Sequence, residues 1–332
     1  MSLIPSPGYP RGKPSVEELH AISYLDELEA AWGRRWSGQS ELGRLHTVLV
    51  SKPTPNESSN EAAADPAFYG LPDGLPDLAL MGSQHQNLVR LLEGEGIEVL
   101  ELGAPDFAQG VYARIRTLWA PASAFVIRGG AIVPRYGKAA YRRGFEVLIA
   151  KRLMAIGCPI LYTVHGNGVL EPGGVCQWLD SEHLVIGMGR CANLDAVEQV
   201  RPVLERARVR EIHLAQLRDV WHLDLCFGLA APWVGVVYPP WIDAPTLHYL
   251  RNKGIELIVV DDAEARQYAC NIAAIAPGRV LMPSNCPRTR EELEARGVEV
   301  IEWECSEFVK ARGGGPHCAI APLVRDDGPR LP

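Results

Sequence analysis

The sequence predicts an α/β chain of five repeated units, each a β-hairpin followed by a helix and a short closing strand. The first observation is a recurring phrase, Gly96-Ile-Glu-Val-Leu-Glu-Leu, Gly254-Ile-Glu-Leu-Ile-Val-Val and Gly297-Val-Glu-Val-Ile-Glu-Trp. Looser versions are Gly157-Cys-Pro-Ile-Leu-Tyr-Thr and Val209-Arg-Glu-Ile-His-Leu-Ala. The second is that each phrase is a β-rich run after a helical pattern, at 84–95, 141–156, 193–207, 245–253 and 288–296. The third is that β-rich pairs with turn residues precede these helices. The chain of 332 residues is 47% hydrophobic and 22% charged, enough for a sizeable core and too apolar for wholesale disorder.

Taken in order, residues 1–42 form an N-terminal arm with one helix. Ser15-Val-Glu-Glu opens it as a capping box: Ser15 accepts from a first-turn amide while Glu18 reaches back. This helix runs to about Trp32 and packs outside the repeats. Residues 43–326 hold the repeats. Residues 51–81 are rich in Pro, Asn, Ser and Gly without periodicity, as in a lid, a binding loop or a disordered segment. Hairpins turn at Arg128-Gly-Gly, Asp180-Ser, Ala231-Pro and Pro277-Gly, within 124–134, 174–187, 223–237 and 272–282. Glycine or a charged residue stops each helix before its strand. The strands at 46–51 and 319–324 must pair if the units are to close into a ring. Residues 327–332 are a tail.

Charge and cysteines exclude several classes. Lys and Arg number 33 against 40 Asp and Glu, a net charge of −7, which argues against a dedicated nucleic-acid binder. No apolar run reaches the roughly 18–20 residues of a membrane span, and the Pro-, Gly- and Ser-rich start lacks a signal pattern. The expectation is a cytoplasmic protein, with a homodimer as the default assembly. The eight cysteines contain no C-x-x-C pair, so a zinc cage or a disulfide scaffold is not expected.

Three short stretches carry candidate chemistry: Leu170-Glu-Pro-Gly-Gly, Trp221-His-Leu-Asp and Gly313-Gly-Gly-Pro-His-Cys. Each adjoins a hairpin strand, so ring closure brings them towards the axis. His222 and Asp224, two apart, share one face of an extended strand, with Leu223 turned into the packing layer. Each has a plain structural reading when taken alone. His222 and Asp224 are then a surface pair, Gly313–Gly315 a turn, Cys318 a buried thiol and Glu171 a solvated turn residue. Their combination points further.

That combination resembles the guanidino-group-modifying enzymes, or penteins, which include arginine and agmatine deiminases, dimethylarginine dimethylaminohydrolase and the amidinotransferases. The family pattern is a Glu-Gly-Gly turn, a His-x-Asp strand and a Gly-rich loop ending in a nucleophilic cysteine. Here these are Glu171-Pro-Gly-Gly, His222-Leu-Asp224 and Gly313-Gly-Gly-Pro-His-Cys318. Gly129-Gly-Ala-Ile-Val-Pro-Arg135, Arg142-Arg-Gly-Phe-Glu146, Leu184-Val-Ile-Gly with Asn193, and Glu307-Phe-Val-Lys310 are similar too. The resemblance implies a five-bladed ββαβ propeller over residues 43–326 and a hydrolase of a small guanidino or amidino compound, with no cofactor and no metal.

In that scheme the Cys318 thiolate attacks the guanidinium carbon, and His222 protonates the leaving group and then activates water. Glu171 supports His222 and the substrate, while Asp224 clamps N–H donors in a carboxylate–guanidinium fork. Trp119, Arg114, Arg116, Gly314 and His317 are further substrate-side candidates, the two arginines for a carboxylate tail. An amidinotransferase, which passes the same intermediate to an amine, is the alternative, and a non-catalytic pentein or a metal site of His222, His317 and Cys318 are lesser rivals. Two departures stand out. Pro121 and Ala122 occupy the positions of the family's Arg-Asp clamp, and Pro172 replaces the first glycine after the glutamate. Arginine and agmatine are therefore expected to be poor substrates.

Overall fold

A computed structural model describes residues 15–21, 23–58, 74–103, 117–119, 121–137, 144–311 and 314–331. Its strands are β1 (Leu45–Val50), β2 (Glu98–Glu101), β3 (Phe125–Ile127), β4 (Gly130–Val133) and β5 (Ile160–Thr163). They continue as β6 (Cys176–Asp180), β7 (His183–Met188), β8 (Glu211–Gln216), β9 (Phe227–Ala231) and β10 (Val234–Val237). The last five are β11 (Glu256–Val259), β12 (Ala273–Ala276), β13 (Arg279–Pro283), β14 (Glu299–Trp303) and β15 (Ala321–Arg325).

These strands form five three-stranded sheets of one pattern. In four of them a hairpin is antiparallel, and the strand after the returning helix joins parallel to the second hairpin strand. The fifth sheet borrows from both ends of the chain. There β15 pairs antiparallel with β1, Val48 opposite Pro322 and Leu49 opposite Ala321, while β2 lies parallel to β1. The ring of five ββαβ blades thus closes through the predicted first and last strands: the fold is the pentein propeller.

Burial grades outward. Strands β3, β4, β6 and β9 are buried throughout, whereas β2, β5 and β11 are mostly half-buried or exposed. Hairpin strands rich in Val, Ile, Leu and Ala therefore face neighbouring blades, and the charged closing strands form the outer rim.

The helices return along that rim. Asp77 caps helix Leu78–Gly94 by accepting from the amides of Ala79 and Leu80. Met81, Gln84, His85, Leu88 and Leu92 form its buried stripe. It begins six residues before the expected start at 84, because Gly82 and Ser83 dilute the apolar pattern there without stopping the helix. Helices Phe145–Ala155, Leu194–Arg206, Ala244–Asn252 and Pro287–Glu294 complete the set. Gly96, Gly157, Gly254 and Gly297 all take φ between +76° and +82° just before their strands, which is why the repeated phrase opens on glycine. The corresponding residue of the middle unit is Arg208, at φ +70°.

The N-terminal arm departs from expectation in its helix. Its helix is two pieces, Val16–Ala21 and Tyr24–Trp32, because the Ser23 hydroxyl accepts from the Asp26 amide and starts a new helix. Beyond the helix, the arm enters the body of the repeats. Trp36 is fully buried, Ser37 bridges Val324, and Gln39 donates to the carbonyls of Ser181 and Ala207. Among the described residues no helix is long and apolar enough to cross a membrane.

A left-handed conformation costs a residue with a Cβ about 1–2 kcal/mol. Arg208→Gly is therefore expected to leave stability unchanged or raise it by up to ~1 kcal/mol, whereas Gly254→Ala lowers it by ~1 kcal/mol. Thermal or urea melts of the two variants check this opposite response.

Candidate functional site

Most of the residues singled out from sequence meet on the buried inner side of the blades. His222 is extended (φ −129°, ψ 149°) and leads into a 3-10 turn at Leu223–Leu225 that holds Asp224. The predicted continuous strand is thus replaced by a single extended residue and a tight turn. Leu223 is fully buried, as expected.

Glu171 precedes the single helical turn Pro172–Val175. Proline fits the first position of a helix, where no intrahelical N–H is required, so Pro172 replaces the family glycine without breaking the turn. The following glycines have separate steric reasons. A Cβ on Gly173 would collide with the carbonyl of Ala122, and one on Gly174 with the His222 ring. A Cβ on Gly314, at φ +107°, would strike the Cys318 sulfur. The glycines in the two loops are the space that the imidazole, the sulfur and the Ala122 backbone occupy.

The polar groups then join. Cys318 donates to Asp224 Oδ2 at 3.1 Å, and the Asn271 amide donates to the sulfur at 3.2 Å. His222 Nε2 lies 3.1 Å from Glu171 Oε2, and the ring also interacts electrostatically with Cys318 and with Cys191, whose sulfur is within 4.8 Å of it. His317 Nδ1 lies 3.0 Å from the same Asp224 oxygen, while its Nε2 faces Glu41 at 3.4 Å and Gln177 at 3.1 Å. Asp224 Oδ1 is buried without a hydrogen-bond partner among the described residues.

Electrostatics follow from burial and these contacts. Burial and then the Asp224 charge push the Cys318 thiol up to about 12, against the opposing pull of His222. Burial works against a charged His222, but its contacts with Cys191, Cys318 and Glu171 raise its pKa well above the usual imidazole value. His317 is raised to about 10: burial again opposes, and the bonds to Asp224 and Glu41 outweigh it. Glu41 is held below the usual carboxylate value. Burial opposes this, while His317, Arg325 and the Trp178 N–H favour the anion.

Three groups beside the nucleophile candidate were not legible as site residues. Glu41 comes from the arm, with its side chain accepting from the Trp178 amide. Asn271 fixes the cysteine loop, its side-chain oxygen accepting from the amides of Gly315 and Cys318 and its nitrogen donating to Asp224 O. Cys191 lies beside His222, and next to it Arg190 stacks on Trp221 at 5.6 Å at the exposed edge. The phrase Gly189-Arg-Cys-Ala-Asn was the available signal for the last pair.

Other candidates lie elsewhere. Trp119 packs edge-on against Phe308 at 5.6 Å, within the apolar cluster of Trp303 and Leu118, rather than among the polar groups around Cys318. Arg114, Arg116, Gly313 and Arg142 fall outside the described residues. Among the described residues, Glu171, Cys191 and His222 have potential ligand atoms within 4.8 Å of one another, and that trio is the one group that could hold a metal ion. The His222, His317 and Cys318 set raised from sequence does not gather in this way. Ala122 helps to line a cavity of about 40 Å³, with Glu41, His317, Phe125, Cys176 and Trp178 around it.

Known proteins resemble this chain in sequence and in fold. Residues 241–325 match the family described as arginine deiminase. The 2-nitroimidazole nitrohydrolase of Mycobacterium sp. (strain JS330) is 27% identical over 340 residues, covering 95% of this chain and 89% of that one. The N(G),N(G)-dimethylarginine dimethylaminohydrolase of Pseudomonas aeruginosa is 24% identical over 243 residues, 73% and 88% of the two chains. Among solved structures, the N-terminal domain of ArgZ, an arginine dihydrolase from the ornithine-ammonia cycle in cyanobacteria, superposes with a TM-score of 0.69. That match has 20% identity and covers 85% of this chain and 99% of that one. A dimethylarginine dimethylaminohydrolase adduct gives 0.67 at 21% identity, over 84% and 100%.

Two outcomes test this geometry. Asn271→Ala removes several buried hydrogen bonds, so a loss of ~2–4 kcal/mol in stability and slower alkylation of Cys318 are expected. For His317 the folded pKa lies above the unfolded 6.5, so its contribution is full below pH 6.5 and fades as pH rises through about 10. The stability gap between the wild type and His317→Gln should narrow over that window in urea melts.

Proposed function

We propose that this chain, a pentein by fold and by its likeness to the guanidino-group-modifying enzymes, is a cysteine hydrolase acting at a carbon flanked by two nitrogens. The meeting of Cys318, His222, Glu171 and Asp224 at one buried point supports the reading most. An inert buried thiol has no use for an imidazole, a carboxylate and an amide N–H at once. A sulfur that must become an anion, add to carbon and leave again does.

In the first half-reaction the Cys318 thiolate adds to the central carbon, and the electron pair of the C=N bond moves to nitrogen. Collapse of this adduct expels one substituent and leaves an amidino thioester on sulfur. The thiol proton has passed to His222, and a departing amine takes it from the ring; when the group leaves as a stable anion, the ring instead releases that proton to solvent before the second step. Water then gives a proton to His222 and adds to the same carbon. The C–S bond breaks, the thiolate returns, and the product carries a C=O where the leaving group was. Glu171, 3.1 Å from His222 Nε2, orients the ring through both proton transfers. Asp224 Oδ1 is the acceptor for a substrate N–H.

This reaction class spans the relatives. A guanidino carbon and C2 of an imidazole both lie between two nitrogens, so hydrolytic loss of an amine, of ammonia or of a nitro group can share one addition–elimination route. Which head this chain prefers turns on position 122. The carboxylate of the family clamp is absent there, and removing one partner of a buried ion pair costs roughly 3–5 kcal/mol. That is about two to four decades in rate or affinity.

Arginine and agmatine are therefore expected to turn over at least a hundredfold less efficiently than an uncharged N–C–N compound such as a 2-substituted imidazole. A screen of such compounds, without an added amine acceptor, that scores ammonia, amine, nitrite and urea-type products checks this. Efficient use of plain arginine would sink the reading of position 122. Cys318→Ser should retain the fold and lose turnover, because an alcohol is far harder to ionise than a thiol. Normal activity in Cys318→Ala would remove the mechanism altogether. Prolonged chelation should leave the rate unchanged.

A further inference from the structure

The carboxylates around Cys318 already have countercharges within the chain. Asp224 faces His317, Glu171 faces His222, and Glu41 faces both His317 and Arg325. The position that would add a further carboxylate is Ala122, which helps to line the small cavity shared with Glu41 and His317. Among the described residues, a guanidinium entering this site meets no carboxylate that lacks a cationic partner. We propose that Glu41 and His317 form a built-in countercharge for Asp224, so that Cys318 acts on an uncharged N–C–N head in place of a guanidinium. The inference rests on the reading of Cys318 as nucleophile given above.

The geometry supplies the reason. One oxygen, Asp224 Oδ2, receives both the Cys318 thiol at 3.1 Å and His317 Nδ1 at 3.0 Å. An uncompensated carboxylate there opposes formation of a thiolate, because two like charges would sit about 3 Å apart in a buried site. A cationic substrate would relieve that repulsion on binding, whereas an uncharged one brings nothing. The imidazolium of His317 provides the relief permanently. It stays charged because Glu41, drawn in by the Trp178 amide and accompanied by Arg325, lies on its far side.

The groups facing His317 are Asp224 from the 3-10 turn, Glu41 from the arm and Gln177 from β6. Cys318 is its chain neighbour. An imidazolium donates from both nitrogens, so Gln177 must present its amide oxygen. That is a half-turn of a group whose two ends have the same shape. The groups facing the Cys318 sulfur are Asp224, Asn271 and His222. In this arrangement Glu41 and His317 are positioning residues for charge: neither needs to touch the substrate.

Two alkylating probes separate the charge of the reagent from the chemistry of the thiol. Iodoacetamide is uncharged and 2-chloroacetamidine is cationic; each forms an S–C bond at Cys318 with loss of halide. Rates are measured against pH in the full-length wild type, His317→Gln and Glu41→Gln, with the site of labelling read by mass spectrometry. In His317→Gln the iodoacetamide reaction should move to higher pH by a unit or more. The preference for 2-chloroacetamidine over iodoacetamide should rise tenfold to a hundredfold. Glu41→Gln should shift both readouts in the same direction by a smaller amount, and it serves alone if His317→Gln fails to fold. An unchanged reagent preference and pH profile in a folded variant overturns the inference. Wild-type protein that neither reagent labels at Cys318 overturns the nucleophile reading instead, so the two failures are distinct.

Discussion

Asp224 is the constraint on which the site depends. A carboxylate with about 1% of its surface exposed, set among apolar strands, is tolerable only if its charge is met by donors nearby. Its Oδ2 has two, the thiol of Cys318 and the ring of His317. Each of these requires something further. The sulfur needs Gly314 without a side chain and Asn271 beside it; the ring needs Glu41 behind it. From one buried anion the arrangement spreads outward to the loop, the hairpin β6–β7 and the N-terminal arm.

The ring makes such an arrangement affordable in sequence terms. Each blade is a small three-stranded sheet that could not bury its faces alone, and five of them around an axis bury one another's hairpins. The inner ends of the blades then meet at the centre. Residues as distant in sequence as Glu41, Glu171, Asp224, Asn271 and Cys318 become neighbours without long loops. Chemistry sits where the blades converge because that is where polar groups from every unit can be brought together and kept dry.

What the sequence made legible was whatever is local and repeated. The glycines that exit helices mark themselves, since all five units take a left-handed residue at the same place and four of them fill it with glycine. Glu171, His222, Asp224 and Cys318 were legible as motifs because each lies in a short stretch with its own steric demands. Glu41 was not, because an acidic residue in an arm of Ser, Gly and Gln says nothing about a histidine 276 positions later. Asn271 was hidden for the same reason: its four side-chain hydrogen bonds go to residues more than forty positions away. The helical turn after His222 and the break at Ser23 were missed because both depend on single local hydrogen bonds that periodicity does not register. Trp119 was placed by its nearness to position 122 in sequence, while its ring follows the apolar attraction of Phe308.

The pairing of β15 with β1 has a bearing on how the molecule is made. On a ribosome, the four central blades have all their strands before residue 304 is added, but the closing sheet must wait for residues 321–325. Cys318 belongs to that last stretch, and its partners come from blades already formed. The four central blades can therefore pack on one another while the thiol is still absent, and the nucleophile arrives where its acid, imidazole and amide partners have already been synthesised. Contacts spanning some 275 residues are slow to form, so completion of the ring is the step that sets when the polypeptide becomes chemically competent.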